Sequence, residues 1–192
     1  MNQKWLLKQV KRCKPLGVVL AGMILLGIGM STVYAATAKE IDASVDAALD
    51  RFYEQVKGAR EFGKNAKGLL VLPNVKKAAL IIGGEYGEGA LRIGGQSVGY
   101  YNIVSGSFGL QIGAQAKDII IAFMTDEALS SFRDSQGWEV GIDGNVAFIM
   151  VGGGERVDTT TTKDPIIGFV FDVKGLIADI SLKGAKITKL AK

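Results

Sequence analysis

The first regular pattern of apolar positions follows Thr37 and has the spacing of an amphipathic helix. Apolar side chains recur at steps of four and three residues, at Ile41, Val45, Leu49, Phe52 and Val56. Thr37 and Glu40 have the spacing of a capping box, in which each side chain accepts a hydrogen bond from the other residue's backbone N–H. The pattern predicts a helix that begins at Thr37 and ends near Gly58 or Gly63.

From Gly68 onward, short apolar runs between turn residues predict buried strands. The predicted strands lie at residues 68–73, 77–83, 118–124, 166–171 and 176–182, with an alternating, glycine-containing pattern over residues 87–115. Thr125 predicts the start of a short helix through Phe132. Asp143-Gly144, between the apolar segments 140–142 and 146–149, predicts a β-hairpin because both residue types tolerate the positive φ of such turns.

Glycine is unusually frequent in this strand-rich region. Four of the 26 glycines precede residue 36, which leaves 22 over 157 residues, about twice the usual share. Glycines within strands allow bulges, sharp bends and close approach of two backbones. The predicted fold class is therefore α+β, with a strongly curved, mostly antiparallel β-sheet that is barrel- or sandwich-like. The N-terminal amphipathic helix and the short helix pack on it.

The N-terminal segment has the organisation of a bacterial export signal. A stretch with five basic and no acidic residues precedes an apolar run at residues 16–30, and small residues at Val33 and Ala35 follow. This pattern predicts a signal peptide over residues 1–35, cleavage between Ala35 and Ala36, and one domain over residues 36–192. The expected location is the periplasm or cell envelope. An uncleaved membrane anchor is the alternative.

Charge and composition exclude several classes of function. The net charge of +4 resides in the first 35 residues, because the remainder has 23 − 5 = 18 basic residues against 19 acidic ones. Overall charge therefore gives no support to nucleic-acid binding. The chain has no histidine and its single cysteine is Cys13, so residues 36–192 lack the groups for a Ser-His or Cys nucleophile and for a His/Cys metal site. We expect no catalytic residues, no metal and no cofactor.

Basic residues are nevertheless concentrated in one part of the chain. Six of them, against the single acid Glu61, fall between residues 57 and 77: Lys57, Arg60, Lys64, Lys67, Lys76 and Lys77. If the helix continued, the first four would share one face. Anionic lipid headgroups attract such residues by roughly 1 kcal/mol per cation. These six, with Arg92 as a weaker candidate, form the predicted headgroup-binding surface; an ordinary solvated face is the alternative.

Several motifs together resemble the SYLF domain, a lipid-binding family whose eukaryotic members include actin regulators. They lie at residues 83–89 (GGEYGEG), 108–115 (FGLQIGAQ), 123–125 (FMT), 137–141 (GWEVG), 168–171 (GFVF) and 186–189 (KITK). The resemblance implies a compact β-rich domain that binds anionic phospholipids, phosphoinositides in eukaryotic relatives, without catalysis. Some relatives bind lipid through an amphipathic segment before the domain. This chain differs from them, because an export signal occupies that position. Actin and phosphoinositides are not expected partners in a bacterial envelope.

The sequence thus predicts a non-enzymatic domain that binds anionic phospholipid headgroups at the cell envelope, as a peripheral membrane protein. An envelope protein-interaction or structural module, indifferent to lipid, is one alternative. A carrier that encloses a lipid chain within its sheet is another. No protein partner follows from the sequence.

Overall fold

The computed structural model describes residues 36–79, 82–108, 113–151, 163–174 and 182–192. The predicted signal peptide and most of the predicted strand at 176–182 lie outside these residues. Residues 36–192 form one compact unit. No helix within the described residues is long and apolar enough to span a membrane.

The predicted N-terminal helix is present as α1, Ala38–Gln55. Thr37 and Glu40 form the expected capping box: the Thr37 hydroxyl accepts from the Glu40 N–H, and the Glu40 carboxylate accepts from the Thr37 N–H at 2.8 Å. The apolar stripe is buried apart from Leu49, which is partly buried, and Phe52 is fully buried. The chain then breaks at Gly58, whose φ of 86° lies in the left-handed region, and a short second helix, α2, follows at Ala59–Asn65.

Eight strands form one sheet in the order β5-β8-β3-β2-β1-β4-β7-β6. Their bounds are β1 Gly68–Ala79, β2 Ile82–Ile93, β3 Gln96–Phe108, β4 Gly113–Phe123, β5 Trp138–Glu139, β6 Ala147–Met150, β7 Ile166–Lys174 and β8 Lys186–Leu190. All neighbouring pairs among them are antiparallel except β6 and β7. The sheet curls into a half-barrel, which confirms the predicted α+β class and the strongly curved sheet. The short helix after Thr125 is also confirmed, as α3, Asp126–Asp134.

Each face of the sheet has its own hydrophobic core. On one face, α1 and α2 cover Leu69, Val71 and the aromatic residues of β7, and the Phe52 and Phe169 ring centroids are 5.0 Å apart. On the other face, α3 packs with Phe132 against Phe123 and against Trp138, which is 1% exposed. Alternate residues of the central strands enter the two cores in turn, so β1 and β4 are buried on both sides.

One strand boundary was predicted wrongly. Residues 68–73 and 77–83 are not two separate strands, because β1 continues to Ala79 through an irregularity between Leu72 and Val75. Asn74 has a φ of 51° there, and its N–H donates to the Asp118 carboxylate at 2.7 Å. A β-bulge, rather than a turn, therefore explains the Pro-Asn dipeptide.

The predicted hairpin at Asp143-Gly144 is also wrong. A turn does lie there, but the segments on either side of it do not pair as two hairpin strands. β5 lies beside β8 at one edge of the sheet, whereas β6 pairs in parallel with β7 at the opposite edge. The Asp143 carboxylate accepts from the Glu139 N–H at 2.7 Å, so this acidic residue stabilises a local turn.

Candidate functional site

The structure separates the seven predicted basic residues into different environments. Four of them surround a single cavity: Arg60, Lys64, Lys67 and Arg92. Lys57 is exposed in the break between α1 and α2 and does not line this cavity. Lys76 and Lys77 lie toward the far end of β1, seven or eight residues beyond the cavity wall at Leu69, or roughly 23 Å along a strand. The seven residues therefore do not form one surface.

The cavity has a volume of about 470 Å³, within the usual range for small-ligand sites. Its walls come from the last two turns of α1, from α2, from the beginning of β1, and from the end of β2 with its following turn. None of the described residues that line it is acidic. This is the only one of the described cavities that collects more than two of the predicted cations.

The cavity is lined by both apolar and cationic side chains. Leu49, Tyr53, Ala66 and Leu69 provide the apolar surface. The Arg60 guanidinium carbon lies 5.1 Å from the centroid of the Tyr53 ring, within the range of a cation–π contact. Burial raises the pKa of the Tyr53 phenol, so this side chain is neutral at physiological pH. The site can therefore contact both an anionic group and an apolar one.

The cations differ in how far neighbouring carboxylates already neutralise them. Lys67 lies 3.3 Å from Asp126, but both side chains are well exposed, so water screens this pair. Arg60 and Lys64 have no carboxylate partner within the described part of the chain. These two residues retain the most charge for a ligand.

Arg92 is the most restrained of the four. Its guanidinium lies 2.5 Å from Asp46 and 3.7 Å from Asp42, both on α1, and donates to the Gly95 carbonyl at 3.0 Å. Its buried Nε has no hydrogen-bond acceptor among the described residues. Because two carboxylates offset its charge, Arg92 positions the β2–β3 turn against α1 and contributes less net charge to the cavity than Arg60 or Lys64.

The turn that closes the cavity depends on two glycines. Gly94 and Gly95 connect β2 to β3 with φ values of 57° and 83°, a conformation that residues with a Cβ adopt only at a cost. These glycines and Tyr53 were not among the predicted site residues. Two features of the sequence could have indicated them. A Gly-Gly pair separates two segments of alternating strand pattern, and Tyr53 lies four residues after Leu49, beside the apolar stripe of α1.

Lys77 is corrected from a surface residue to a buried one. The bulge in β1 places Val75 in the core beneath α3, so Lys77, two residues later, faces the same side. Its Nζ lies 3.9 Å from Glu85, and Lys117 lies 2.9 Å from the same carboxylate. All three side chains are more than nine-tenths buried, so Lys77 is not available to a membrane surface.

Lys76 belongs to a separate, exposed row that crosses the sheet. Cross-strand pairing aligns it with Tyr86, Val104 and Lys186 on four adjacent strands, and directly opposed residues share a face. Tyr86 and Val104 are each 47% exposed. This row, Lys76-Tyr86-Val104-Lys186, lies on the face that α1 and α2 cover elsewhere, and it is a second lysine-bearing surface away from the cavity.

Metal chemistry finds no support in the described residues. They contain no group of three or more acidic or sulfur ligands placed to hold an ion. Glu85 and Glu88, the nearest pair of acids in β2, have opposite environments: Glu85 is buried with Lys117, whereas Glu88 accepts a hydrogen bond from Tyr86 on the other face at 2.6 Å. The structure thus offers a binding cavity and no assembled pair of catalytic carboxylates at this position.

Comparison with known families adds to this geometry. Residues 104–192 match the model of the Ysc84 family, described as Las17-binding protein actin regulator. No curated protein matches the sequence. The SYLF domain, to which this model corresponds, is a non-catalytic binding domain associated with lipid binding. The match extends from the end of β3 through β8 and includes the motifs at 137–141, 168–171 and 186–189. This part of the chain is therefore similar to the Ysc84, or SYLF, family, which supports the family resemblance found in the sequence.

Proposed function

We propose that the cavity between α1, α2 and the β2–β3 turn binds the headgroup of an anionic phospholipid, and that the protein does so at the bacterial cell envelope after export. One observation carries the proposal: four of the seven predicted cations line one cavity that has no acidic wall residue among those described. The association of the family with lipid binding supports the same ligand class.

The chemistry of the walls suits a lipid better than a free inorganic anion. Arg60 and Lys64 supply charge-assisted donors to phosphate oxygens, and Arg presents its donors as a planar fork that matches phosphate geometry. Leu49, Tyr53 and Leu69 supply apolar lining to the same cavity. A phospholipid satisfies both surfaces, because its glycerol and first acyl carbons follow directly on the phosphate.

Flotation of the exported protein with phosphatidylglycerol/phosphatidylcholine vesicles tests this proposal. Reversing two cavity charges, Arg60→Glu with Lys64→Glu, is expected to weaken binding about 25-fold or more, since each cation contributes roughly 1 kcal/mol. Binding of the wild type should also fall with increasing salt. Circular dichroism of the variant should be unchanged, because both side chains are exposed.

The matched control changes the net charge equally at another place. Lys76→Glu with Lys186→Glu alters the exposed row and leaves the cavity intact. A much smaller loss of vesicle binding in this control supports headgroup binding at the cavity. An equal loss of binding in both double variants shows that diffuse surface charge is responsible. Equal binding of the wild type to pure phosphatidylcholine vesicles contradicts headgroup recognition and favours the protein-interaction alternative.

A further inference from the structure

Ala36 is held by two charged side chains, those of Glu88 on β2 and of Lys192. Lys192 donates through its Nζ to the Ala36 carbonyl oxygen and also pairs with the Glu88 carboxylate at 2.9 Å. Glu88, on β2, accepts a hydrogen bond from the Ala36 backbone N–H. Both backbone groups of one residue are therefore bound by side chains distant in sequence.

The charges around Ala36 do not balance. Two carboxylates lie there, those of Glu88 and Glu40, and the one nearby ammonium among the described residues is that of Lys192. The Tyr86 hydroxyl donates to Glu88 but carries no charge. Glu88 and Lys192, only 10% and 12% exposed, balance each other, and the exposed Glu40 carboxylate adds one negative charge beside them.

Burial removes much of the water around the Glu88 carboxylate, so each hydrogen-bond donor directed at it contributes more than it would at the surface. The existing donors to Glu88 are a hydroxyl, one ammonium and one backbone N–H. A cation at the Ala36 nitrogen would add a second charged donor to Glu88 without moving any side chain. An α-amino group supplies that cation and replaces the single amide donor with three ammonium donors.

We propose that Glu88, with Glu40 and Lys192 beside it, forms a receptor for the free α-amino group of Ala36, created when the chain is cut after Ala35. The site binds a primary ammonium as an ion pair, and it fixes the new terminus against β2 and the last residue described. This inference rests on the predicted cleavage position and is independent of lipid binding at the cavity.

The proposal has a direct electrostatic consequence. A free α-amino group has a pKa of about 7.7–8.0 in unstructured peptides. Beside Glu88 and Glu40, the protonated amine is stabilised, so its pKa should rise, while Lys192 opposes part of this increase. The stabilisation of the folded state by this pair is present below the ordinary pKa and is lost as the pH rises through the raised value.

The test uses protein exported by a bacterium from the full-length gene. Intact mass should place the N-terminus at Ala36, and a ¹³C-labelled Ala36 Cα resonance then reports the titration of its amine. We expect a pKa at least one unit above the ordinary range, which Glu88→Gln returns to that range. Glu54→Gln, an exposed acid on α1, is the matched control and should leave the raised pKa unchanged.

A second variant keeps the test decisive if Glu88→Gln fails to fold. Lys192→Met removes the competing cation, so the Ala36 pKa should rise further, a direction that loss of structure does not produce. A mature terminus at another residue overturns the proposal. So does an ordinary pKa in the wild type, or a Lys192→Met variant whose pKa falls or stays equal. If these variants still float with vesicles as the wild type does, the result at Ala36 is independent of lipid binding at the cavity.

Discussion

At the scale of single residues, two glycines in neighbouring strands show which of the many glycines the fold requires. A Cβ at Gly89 would lie 1.9 Å from the Val71 carbonyl oxygen, so β1 and β2 approach each other there more closely than any side chain allows. At Gly106, in β3, a Cβ would meet nothing within 4 Å, and its φ is not in the left-handed region. Glycine is therefore structural at one position and replaceable at the other.

This contrast gives a matched pair of substitutions. Gly89→Ala should destabilise the domain by about 3 kcal/mol, because backbone atoms of β1 must move to admit the methyl group. Gly106→Ala should be neutral or stabilising by about 0.5 kcal/mol, since alanine loses less conformational entropy on folding. Urea unfolding followed by circular dichroism measures both. Similar stability of the two variants would contradict the close approach of β1 and β2.

At the scale of elements, α1 is fixed to the sheet by polar contacts as well as by its apolar stripe. Its Asp42 accepts hydrogen bonds from Ser97 at 2.6 Å and from Tyr100 at 2.9 Å, both on β3. At its other end, Arg51 pairs with the buried Asp118 of β4 at 2.6 Å. The helix that forms one wall of the cavity is thus anchored to strands on either side of β1 and β2.

The Asp42 contact should make stability depend on pH. The Ser97 hydroxyl, aided by Tyr100 and Arg92, holds the pKa of Asp42 below its ordinary value. A depressed folded-state pKa stabilises the protein above the unfolded-state value near 3.9, and this contribution disappears as the pH falls through the folded value. Asp42→Asn should therefore lower the unfolding free energy at pH 7 by more than at pH 3.

Urea denaturation of wild type and variant at both pH values measures this difference. Asp50→Asn, at an exposed position on the same helix, is the control for the loss of one carboxylate from α1. A penalty for Asp42→Asn that is the same at pH 3 and pH 7 would show that the ionised carboxylate is not what connects α1 to β3.

The elements predicted correctly are those that local sequence determines. The capping box of α1, the start of α3 at Thr125 and the apolar run of β4 each depend on residues close in the chain, and each is present in the structure. β8, by contrast, was not predicted as a strand: its Lys-Ile-Thr-Lys-Leu sequence is weakly apolar, and pairing with β3 and β5 determines its conformation. Its partners are more than 40 residues away in the chain.

The candidate site was predicted only in part for a related reason. Clustering of basic residues in the sequence grouped Arg60, Lys64 and Lys67, and these three line one cavity because α2 and the start of β1 keep them adjacent. It could not separate Lys76 from Lys77, since a bulge of one residue decides which face each enters. The contribution of Arg92 depends on tertiary pairing with α1, which no local pattern reveals.

At the scale of the whole molecule, residues 36–192 carry 18 basic and 19 acidic side chains, so the domain as a whole is not attracted to an anionic surface. Binding to anionic vesicles must then depend on the local distribution of charge over the surface. Lys64→Glu combined with Asp134→Lys leaves the net charge unchanged while moving a cation from the cavity to the end of α3. A lysine there also interacts favourably with the helix C-terminus.

If the cavity binds the headgroup, this charge-exchanged variant should float with phosphatidylglycerol vesicles as poorly as Lys64→Glu alone. If net charge governs association instead, Asp134→Lys should restore the binding that Lys64→Glu removes. Titrating the vesicle concentration for the wild type, both single variants and the double variant forms a complete cycle. All four proteins are compared at one ionic strength, so salt screens their charges equally. A restored vesicle affinity in the double variant would therefore show that the net surface charge, and not the cavity, determines binding.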